Sequence, residues 1–180
     1  MRRTLSYIEP ELVRVPAGEF LMGSIEEDAQ DDDEKPQHTL HLPQYWIGRY
    51  PVTNEEYELY ARSHSICFTF EVGKELHPVD AVNWHDAQDY CCWLSAQTGR
   101  KYRLPSEAER EKASRCTDGR IYPWGNTWQV ELANTDEYWE DETLLRQLGL
   151  DQRERGTTPV GFFSPAGDSP YGCADMAGNV

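Results

Sequence analysis

The 180-residue chain has a length typical of one domain, and its 38% hydrophobic and 12% aromatic residues exclude a wholly disordered protein. Its net charge of −15 argues against nucleic acid and anionic membrane surfaces as partners, because phosphate binding requires clustered lysines and arginines. No apolar run is long enough for a bilayer, and the basic N-terminus lacks the apolar region of a secretory signal, so we expect a cytoplasmic protein.

Short strands and turns are predicted for the first third of the chain. Residues 11–24 alternate apolar and polar side chains around a Pro-Ala-Gly sequence, which predicts two strands joined by a turn. Residues 39–53 predict a second pair of strands. Between the pairs, seven of the ten residues at 25–34 are Asp or Glu. This stretch is either a calcium loop or a solvated acidic loop, and the absence of EF-hand spacing favours the solvated loop.

Three helices are predicted from local start and stop signals. Two begin at a capping box, in which two side chains satisfy free backbone N–H groups: Thr53 with Glu56, and Ser106 with Glu109. The first of these has an apolar face made of Tyr57, Tyr60 and Ala61. The remaining helix covers about residues 84–98 and has apolar side chains at helical spacing and a terminal glycine: Ala87, Tyr90, Cys91, Leu94 and Gly99.

Irregular backbone is predicted after Cys116. Residues 117–139 alternate Asp, Asn and Gly with Trp and Tyr, a pattern that only long-range packing or a bound ion can order. Residues 141–155 predict one more helix, and the remainder returns to turns and a short strand. The predicted class is α+β with a large share of coil, in one domain without internal repeats.

The five cysteines predict neither a zinc site nor a regular disulfide framework, because their number is odd and no Cys-x-x-Cys occurs. Cys91 and Cys92 fall on the predicted helix, where consecutive side chains diverge, so we expect reduced, partly buried thiols. The five histidines form no ligand pattern, and the common nucleophile, phosphate-binding and metalloprotease motifs are absent. The residues by themselves therefore indicate no catalytic centre.

Two stretches are rich in carbonyl and carboxylate oxygens, residues 134–136 and residues 175–180. Ca²⁺ takes about six to eight oxygen ligands, many of them backbone carbonyls of tight loops, and both stretches supply such oxygens. Ordinary Asx turns explain the same residues equally well, so both interpretations stay open at this point.

A series of motifs runs through the chain in the order VRVPAGEFLMGS, HPVDAVNWHDAQDYCCWL, RLPSEAE, YPWGN and DMAGNV. This order resembles the formylglycine-generating enzyme family, also called sulfatase-modifying factors, over residues 12–180. The resemblance implies a C-type-lectin-like fold with few helices, short strands and much ordered coil. It also implies a single domain over residues 1–180, incomplete at its C-terminus, with residues 1–10 as an N-terminal extension.

The activity that the resemblance implies is oxidation of a cysteine in a substrate protein to formylglycine, with O₂ and copper bound by a pair of cysteines. In the family, the motif at residues 178–180 continues into Trp-Glu-Trp, and the catalytic cysteines lie beyond it. The resemblance therefore predicts a truncated chain without catalytic or cofactor-binding residues of its own, inactive alone. Copper is expected only for a complete family enzyme, and a polypeptide that supplies the missing segment is a predicted partner.

The alternative function is a non-catalytic, C-type-lectin-like binding or sensor module. Many relatives in the resembled family bind ligands without known chemistry. Such a module requires a stable fold and a variable surface and tolerates the loss of the catalytic cysteines. Its predicted partner is a protein or peptide ligand.

The resemblance also implies two structural calcium sites. One ion is expected at Asn134 and at the carbonyl of Thr135, which match a family sequence of similar pattern. The second is expected at the side chain of Asp175 and the carbonyls of Gly178 and Val180, together with a glutamate beyond the last residue. Asp175 replaces an asparagine that is common in the family, and its charge partly compensates for the missing glutamate.

Some positions depart from the family or have no assigned role. Arg110 stands where the family usually has Trp, and either snorkels in place of an apolar anchor or marks an altered surface. Cys91 matches a helix cysteine that some members use in a structural disulfide, and Cys173 has no catalytic counterpart. The missing segment is expected to leave an apolar surface exposed and to weaken stability.

Overall fold

The computed structural model describes residues 6–25, 34–152 and 155–179. The acidic stretch discussed above falls largely on residues 26–33, and this stretch and Val180 lie outside the described residues. The described residues contain four strands, β1 (Leu12–Val15), β2 (Gly18–Met22), β3 (His38–Leu42) and β4 (Tyr45–Gly48). They also contain five helices and a short 3-10 turn at Val130–Leu132: α1 (Asn54–Ser63), α2 (Trp84–Thr98), α3 (Glu107–Arg115), α4 (Asp136–Glu140) and α5 (Glu142–Leu148).

The four predicted strands are confirmed, and they pair as one long interrupted hairpin. β1 pairs antiparallel with β4, and β2 pairs antiparallel with β3. Because Leu12 lies opposite Gly48 and Gly18 lies opposite Leu42, the same register continues through both ladders. The interruption has Pro16 on one arm and Pro43 on the other, and neither proline has an N–H group to donate to a ladder.

The predicted helix starts are confirmed by their hydrogen bonds. In α1, the Thr53 N–H donates to the Glu56 carboxylate at 2.7 Å, and the Thr53 hydroxyl accepts from the Glu56 N–H. In α3, Ser106 and Glu109 form the same reciprocal pair. Helix α2 ends at Gly99, whose φ of 71° places it in the left-handed region that favours glycine.

The segment after Cys116 is more regular than predicted. Residues 117–139 were expected to be coil, but they include the 3-10 turn and most of α4. Tyr138 and Trp139 on α4 are buried, so packing over long sequence distances orders this helix rather than helix propensity. The further predicted helix is confirmed in part as α5, which ends before Gly149 at a φ of 71°.

The core consists of three apolar clusters. The largest joins α1 to α2 through rings 5.3 to 5.8 Å apart, and its buried members are Tyr57, Tyr60, Ala61, Tyr90, Trp93 and Leu94. This confirms the predicted face of α1 and half of the predicted face of α2, since Tyr90 and Leu94 are buried and Ala87 and Cys91 are partly exposed. The second cluster contains Val15, Ala113 and Cys173, and the third contains Tyr138, Trp139 and Leu145.

Helix α3 is attached to the interrupted hairpin by a buried lysine. The Lys112 ammonium group donates to the carbonyl of Pro16 at 2.9 Å and to that of Gly18 at 2.8 Å. Burial lowers the pKa of Lys112, which is 1% exposed. The turn between β1 and β2 is therefore held by the helix rather than by the strands alone.

Among the described helices, none combines the length and the apolar composition required to cross a membrane. The cytoplasmic location remains a prediction.

Candidate functional site

A groove of about 1040 Å³ opens beside the β1–β4 sheet. One wall carries Tyr45, Trp46 and Ile47 of β4, and another carries Tyr90, Cys91 and Leu94 of α2. Residues 100–105 and residues 174–176 form the remaining sides. The groove therefore gathers side chains from the beginning, the middle and the end of the chain.

The walls of the groove expose apolar surface to solvent. Trp46 is 58% exposed, although it lies on a strand, and partly buried Ile47, Val52 and Met176 also line the groove. A contiguous apolar surface of this kind in a folded protein marks a binding site more often than a single exposed side chain does. The arrangement thus provides a large contact area for an apolar ligand.

An ion pair lies among the residues that line the groove. Arg103 donates from both terminal nitrogens to the two carboxylate oxygens of Glu109, each at 2.6 Å. These bonds and the Ser106 N–H lower the pKa of Glu109 to about 2. The Tyr45 hydroxyl donates to the Glu109 carbonyl at 2.6 Å, so β4 is tied directly to the start of α3.

Two further carboxylates line the groove, and each holds a turn of the chain. Glu56 accepts from Thr53 in the capping box of α1, and burial raises the pKa of Glu56. Asp175 has a φ of 54° and accepts from the Gly161 N–H at 2.7 Å. Burial raises the pKa of Asp175 as well.

The structure brings together the two stretches predicted to bind calcium. The Asn179 N–H donates to the Asn134 carbonyl at 3.1 Å, and the Asn134 amide donates to the Asn179 side-chain oxygen at 3.0 Å. A Cβ atom at Gly178 would lie 2.5 Å from the Asn134 carbonyl oxygen, so only glycine allows this contact. The two stretches, predicted to hold separate ions, are therefore in direct contact although Asn134 and Asn179 are 45 residues apart.

Three of the oxygens predicted as calcium ligands accept hydrogen bonds. The Asn134 side-chain oxygen accepts from the Trp139 indole at 2.6 Å, and the backbone carbonyl of Asn134 accepts from the Asn179 N–H. The Thr135 carbonyl accepts from the Trp139 N–H at 3.4 Å, and Asp175 accepts from the Gly161 N–H. Within residues 6–25, 34–152 and 155–179, no three His, Cys, Asp or Glu side chains converge as a metal site. As placed, these residues do not fit an open coordination shell, and calcium stays a prediction.

Asn179 is a structural residue that the sequence-based prediction missed. Its side chain is 7% exposed, accepts from the Thr158 N–H at 2.8 Å and donates to the Thr158 carbonyl at 3.1 Å. The signal available in the sequence was an asparagine inside a predominantly apolar segment, where an amide requires buried partners. Asn179 thus joins the end of the described chain to the segment at Thr158.

The five cysteines are free thiols, and they are distributed over the structure. Cys67 and Cys92 are exposed, Cys116 ends α3, and only Cys91 lies in the groove. Burial raises the pKa of Cys91 and of Cys173 above the usual thiol value, which disfavours the nucleophilic thiolate.

A second, more open cleft of about 640 Å³ lies against α4 and carries several carboxylates. Trp128 lines it, and its indole donates to Glu137 at 2.6 Å. The ring of Trp128 also packs against Tyr122 and Trp124 of the YPWGN motif, at 5.2 and 5.6 Å. The motif thereby orders the predicted irregular segment through aromatic packing.

Arg110 lies at the mouth of the large groove and is exposed. One terminal nitrogen of its guanidinium group lies 3.5 Å from the Met176 carbonyl. Of the two predicted roles for Arg110, the position supports an altered surface rather than a buried anchor.

Comparisons with known proteins place these features in context. Residues 3–180 match the family described as the sulfatase-modifying factor enzyme 1-like domain. The chain is 27% identical to the formylglycine-generating enzyme of Bos taurus over 219 aligned positions, which cover 94% of this chain and 56% of that protein. It is 29% identical to the inactive C-alpha-formylglycine-generating enzyme 2 of Mus musculus, with 96% of this chain and 67% of that protein covered.

The solved structure of PvdO from Pseudomonas aeruginosa is similar to this chain with a TM-score of 0.76 and 28% identity. The superposition covers 95% of this chain and 68% of that one. This chain therefore spans a little more than half the length of the bovine relative and about two thirds of the length of PvdO.

Proposed function

Because this chain belongs to the sulfatase-modifying factor enzyme 1-like family and has its α+β, C-type-lectin-like fold, we propose that it is a polypeptide-binding domain of that family. Its ligand is an extended segment of protein that lies in the groove beside β4. The observation that supports this proposal best is the apolar groove itself, with Trp46 exposed on its wall.

The size of the groove favours a polypeptide over a small molecule. Its volume of about 1040 Å³ is at the upper limit of the pockets that hold small ligands, about 300–1,000 Å³. A segment of several residues fills such a space and places successive side chains on both walls. Burial of the exposed ring of Trp46 by one of those side chains supplies part of the binding free energy.

The β1–β4 sheet favours an extended ligand conformation. The sheet has two strands among the described residues, and two-stranded sheets are marginally stable by themselves. Addition of an extended segment beside a short sheet is a common mode of peptide recognition, in which backbone groups bind and alternate side chains enter pockets.

Formylglycine generation is the second candidate function. The similarity to the formylglycine-generating enzyme of Bos taurus favours it, whereas the Mus musculus relative is described as inactive. Copper held by a pair of cysteines would supply the oxidation chemistry. Cys91 and Cys92 are adjacent on α2, where consecutive side chains diverge, and Cys173 is enclosed by Val15 and Ala113. We therefore infer that residues 1–180 do not form the copper site and are inactive without a further polypeptide.

A pair of matched substitutions tests the binding proposal. A library of random 12-residue peptides is selected on the wild-type chain, and each enriched peptide is then measured on Trp46→Ser and Trp84→Ser. The two tryptophans are equally exposed, at 58% and 60%, but only Trp46 lies in the groove. We expect binding to be lost with Trp46→Ser and kept with Trp84→Ser. Equal binding to the wild type and to Trp46→Ser would contradict the proposal.

Turnover of a Cys-x-Pro-x-Arg peptide tests the second candidate. The peptide is incubated with the chain, Cu(I) and O₂, and its mass is followed for conversion of the cysteine to formylglycine. No product is expected from the chain alone. Catalytic turnover that survives replacement of all five cysteines would also show that the assignment of chemistry to thiols is wrong.

Structural calcium remains a proposal that rests on the resemblance. Calcium at Asn134 would share the side-chain oxygen with the Trp139 indole, and calcium at Asp175 would share the carboxylate with the Gly161 N–H. Calcium titration with thermal unfolding as the readout tests it. A rise in the unfolding temperature that Asn134→Ala abolishes supports the site, and an unchanged temperature at millimolar calcium rejects it.

A further inference from the structure

We propose that the groove selects an acidic polypeptide segment that carries aromatic side chains, and that Lys101 and Arg110 determine this preference. The inference rests on the proposed binding function, because it names the class of polypeptide that the same groove takes. The net charge of −15 alone would favour a basic ligand, so the preference for an acidic one depends on the local charges of the groove.

Positive charge is concentrated at the groove. Four of the 17 lysines and arginines line it, Arg100, Lys101, Arg103 and Arg110, against three carboxylates, Glu56, Glu109 and Asp175. The lining as a whole thus carries a small positive charge, in a protein with nearly twice as many acidic as basic residues.

The hydrogen bonds show which of these charges are available to a ligand. Arg100 binds Glu9 at 2.6 Å, and Arg103 binds Glu109 at 2.6 Å. Lys101 and Arg110 are exposed and have no carboxylate partner among the described residues. Each of them presents an unpaired cation on the wall of an apolar groove.

Unlike Lys101 and Arg110, the three carboxylates of the groove already bind groups of the protein. Glu109 is neutralised by Arg103, and Glu56 and Asp175 are engaged by the backbone N–H groups of Thr53 and Gly161. Burial raises the pKa of Glu56 and of Asp175. With all seven side chains charged, the lining still has four cations against three carboxylates. The charge that a ligand meets is therefore positive.

Screening by salt determines which charges of the protein a ligand in the groove senses. At about 0.15 M salt the Debye length is about 8 Å, so the many acidic residues elsewhere are screened from a ligand in the groove. Lys101 and Arg110 contact the ligand directly. Exposed ion pairs of this kind each strengthen binding by about 1.4-fold to 5-fold, and two of them suffice for a clear preference.

A selection with reversed charges tests the inference at 0.15 M salt. The random 12-residue library is selected on the wild-type chain, on Lys101→Glu/Arg110→Glu, and on Arg146→Glu as a control. Arg146 is exposed on α5 and does not line the groove. Circular dichroism verifies that each variant is folded before selection.

The expected result has three parts. Peptides from the wild type and from the Arg146 control contain aromatic residues and an excess of Asp and Glu over the input library. Peptides from the double variant contain an excess of Lys and Arg instead. Affinity of an acidic wild-type peptide falls about 2-fold to 25-fold on the double variant, as the product of two such contacts.

The experiment distinguishes a wrong charge preference from a wrong binding function. If peptides are enriched that depend on Trp46 but carry no excess of acidic residues, or if the double variant selects the same peptides, the charge preference is wrong and the binding function stands. If no enriched peptide depends on Trp46, the binding function itself is wrong, and the inference is overturned with it.

Discussion

Glu109 shows how a local sequence signal acquires a role in tertiary structure. The sequence predicted its part in a capping box with Ser106, and this is confirmed. The sequence did not reveal the bidentate bond with Arg103 or the Tyr45 hydroxyl on its carbonyl, because both depend on where α3 packs. The same residue therefore caps a helix and lines the groove.

The lowered pKa of Glu109 predicts an acid-dependent loss of stability. Its folded-state pKa is about 2 and its usual value is 4.5, so the ionised carboxylate stabilises the fold fully above the usual value. This contribution declines as the pH falls from about 4.5 towards 2. The difference in free energy of unfolding between the wild type and Glu109→Gln, measured with urea, should therefore be smaller at pH 3 than at pH 6. A difference that is constant over this range would show that the ion pair contributes nothing.

At the scale of elements, local signals identified most helices and strands, and non-local contacts determined the rest. Capping boxes and Gly99 are local, so the starts of α1 and α3 and the end of α2 were predictable. The register of the interrupted hairpin was not predictable, because it depends on the pairing of β1 with β4 across the whole β2–β3 unit. Helix α4 was missed for the same reason, since burial of Tyr138 and Trp139 stabilises it.

Lys112 carries the clearest prediction at this scale. Its ammonium group joins α3 to the carbonyls of Pro16 and Gly18, so Lys112→Met removes the donor from two backbone acceptors and places an apolar side chain beside them. We expect a loss of about 1–3 kcal/mol in the free energy of unfolding by chemical denaturation. Lys101→Met, at an exposed position, is the control and should change it by less than about 0.5 kcal/mol. A Lys112→Met variant as stable as the wild type would refute the role of this contact.

For the whole molecule, the groove is the feature that sequence reasoning could describe only in outline. An apolar unpartnered surface was expected, but its walls come from positions as distant as Leu12 and Met176. Calcium residues were proposed in two separate stretches, and the structure places Asn134 beside Gly178 and Asn179 without an open coordination shell. Pattern and resemblance therefore identified the segments, while the contacts between them required the fold.

Exposure of the groove predicts that the folded chain binds a hydrophobic dye. We expect 1-anilinonaphthalene-8-sulfonate to fluoresce with the native chain, below the onset of a cooperative thermal transition, because Trp46 and its neighbours present apolar surface. The signal should fall with Trp46→Ser and persist with Trp84→Ser. A cooperative transition without any dye binding would show that the groove is closed in solution.

The central claim is that a polypeptide lies in the groove against Trp46, and fluorine NMR tests it most directly. The chain contains six tryptophans, so labelling with 5-fluorotryptophan provides six signals, of which Trp46 and Trp84 are assigned from their Ser variants. On saturation with the tightest peptide from the selection, we predict a shift of the Trp46 signal and no shift of the Trp84 signal. A peptide that saturates the chain and leaves the Trp46 signal unchanged would contradict the claim.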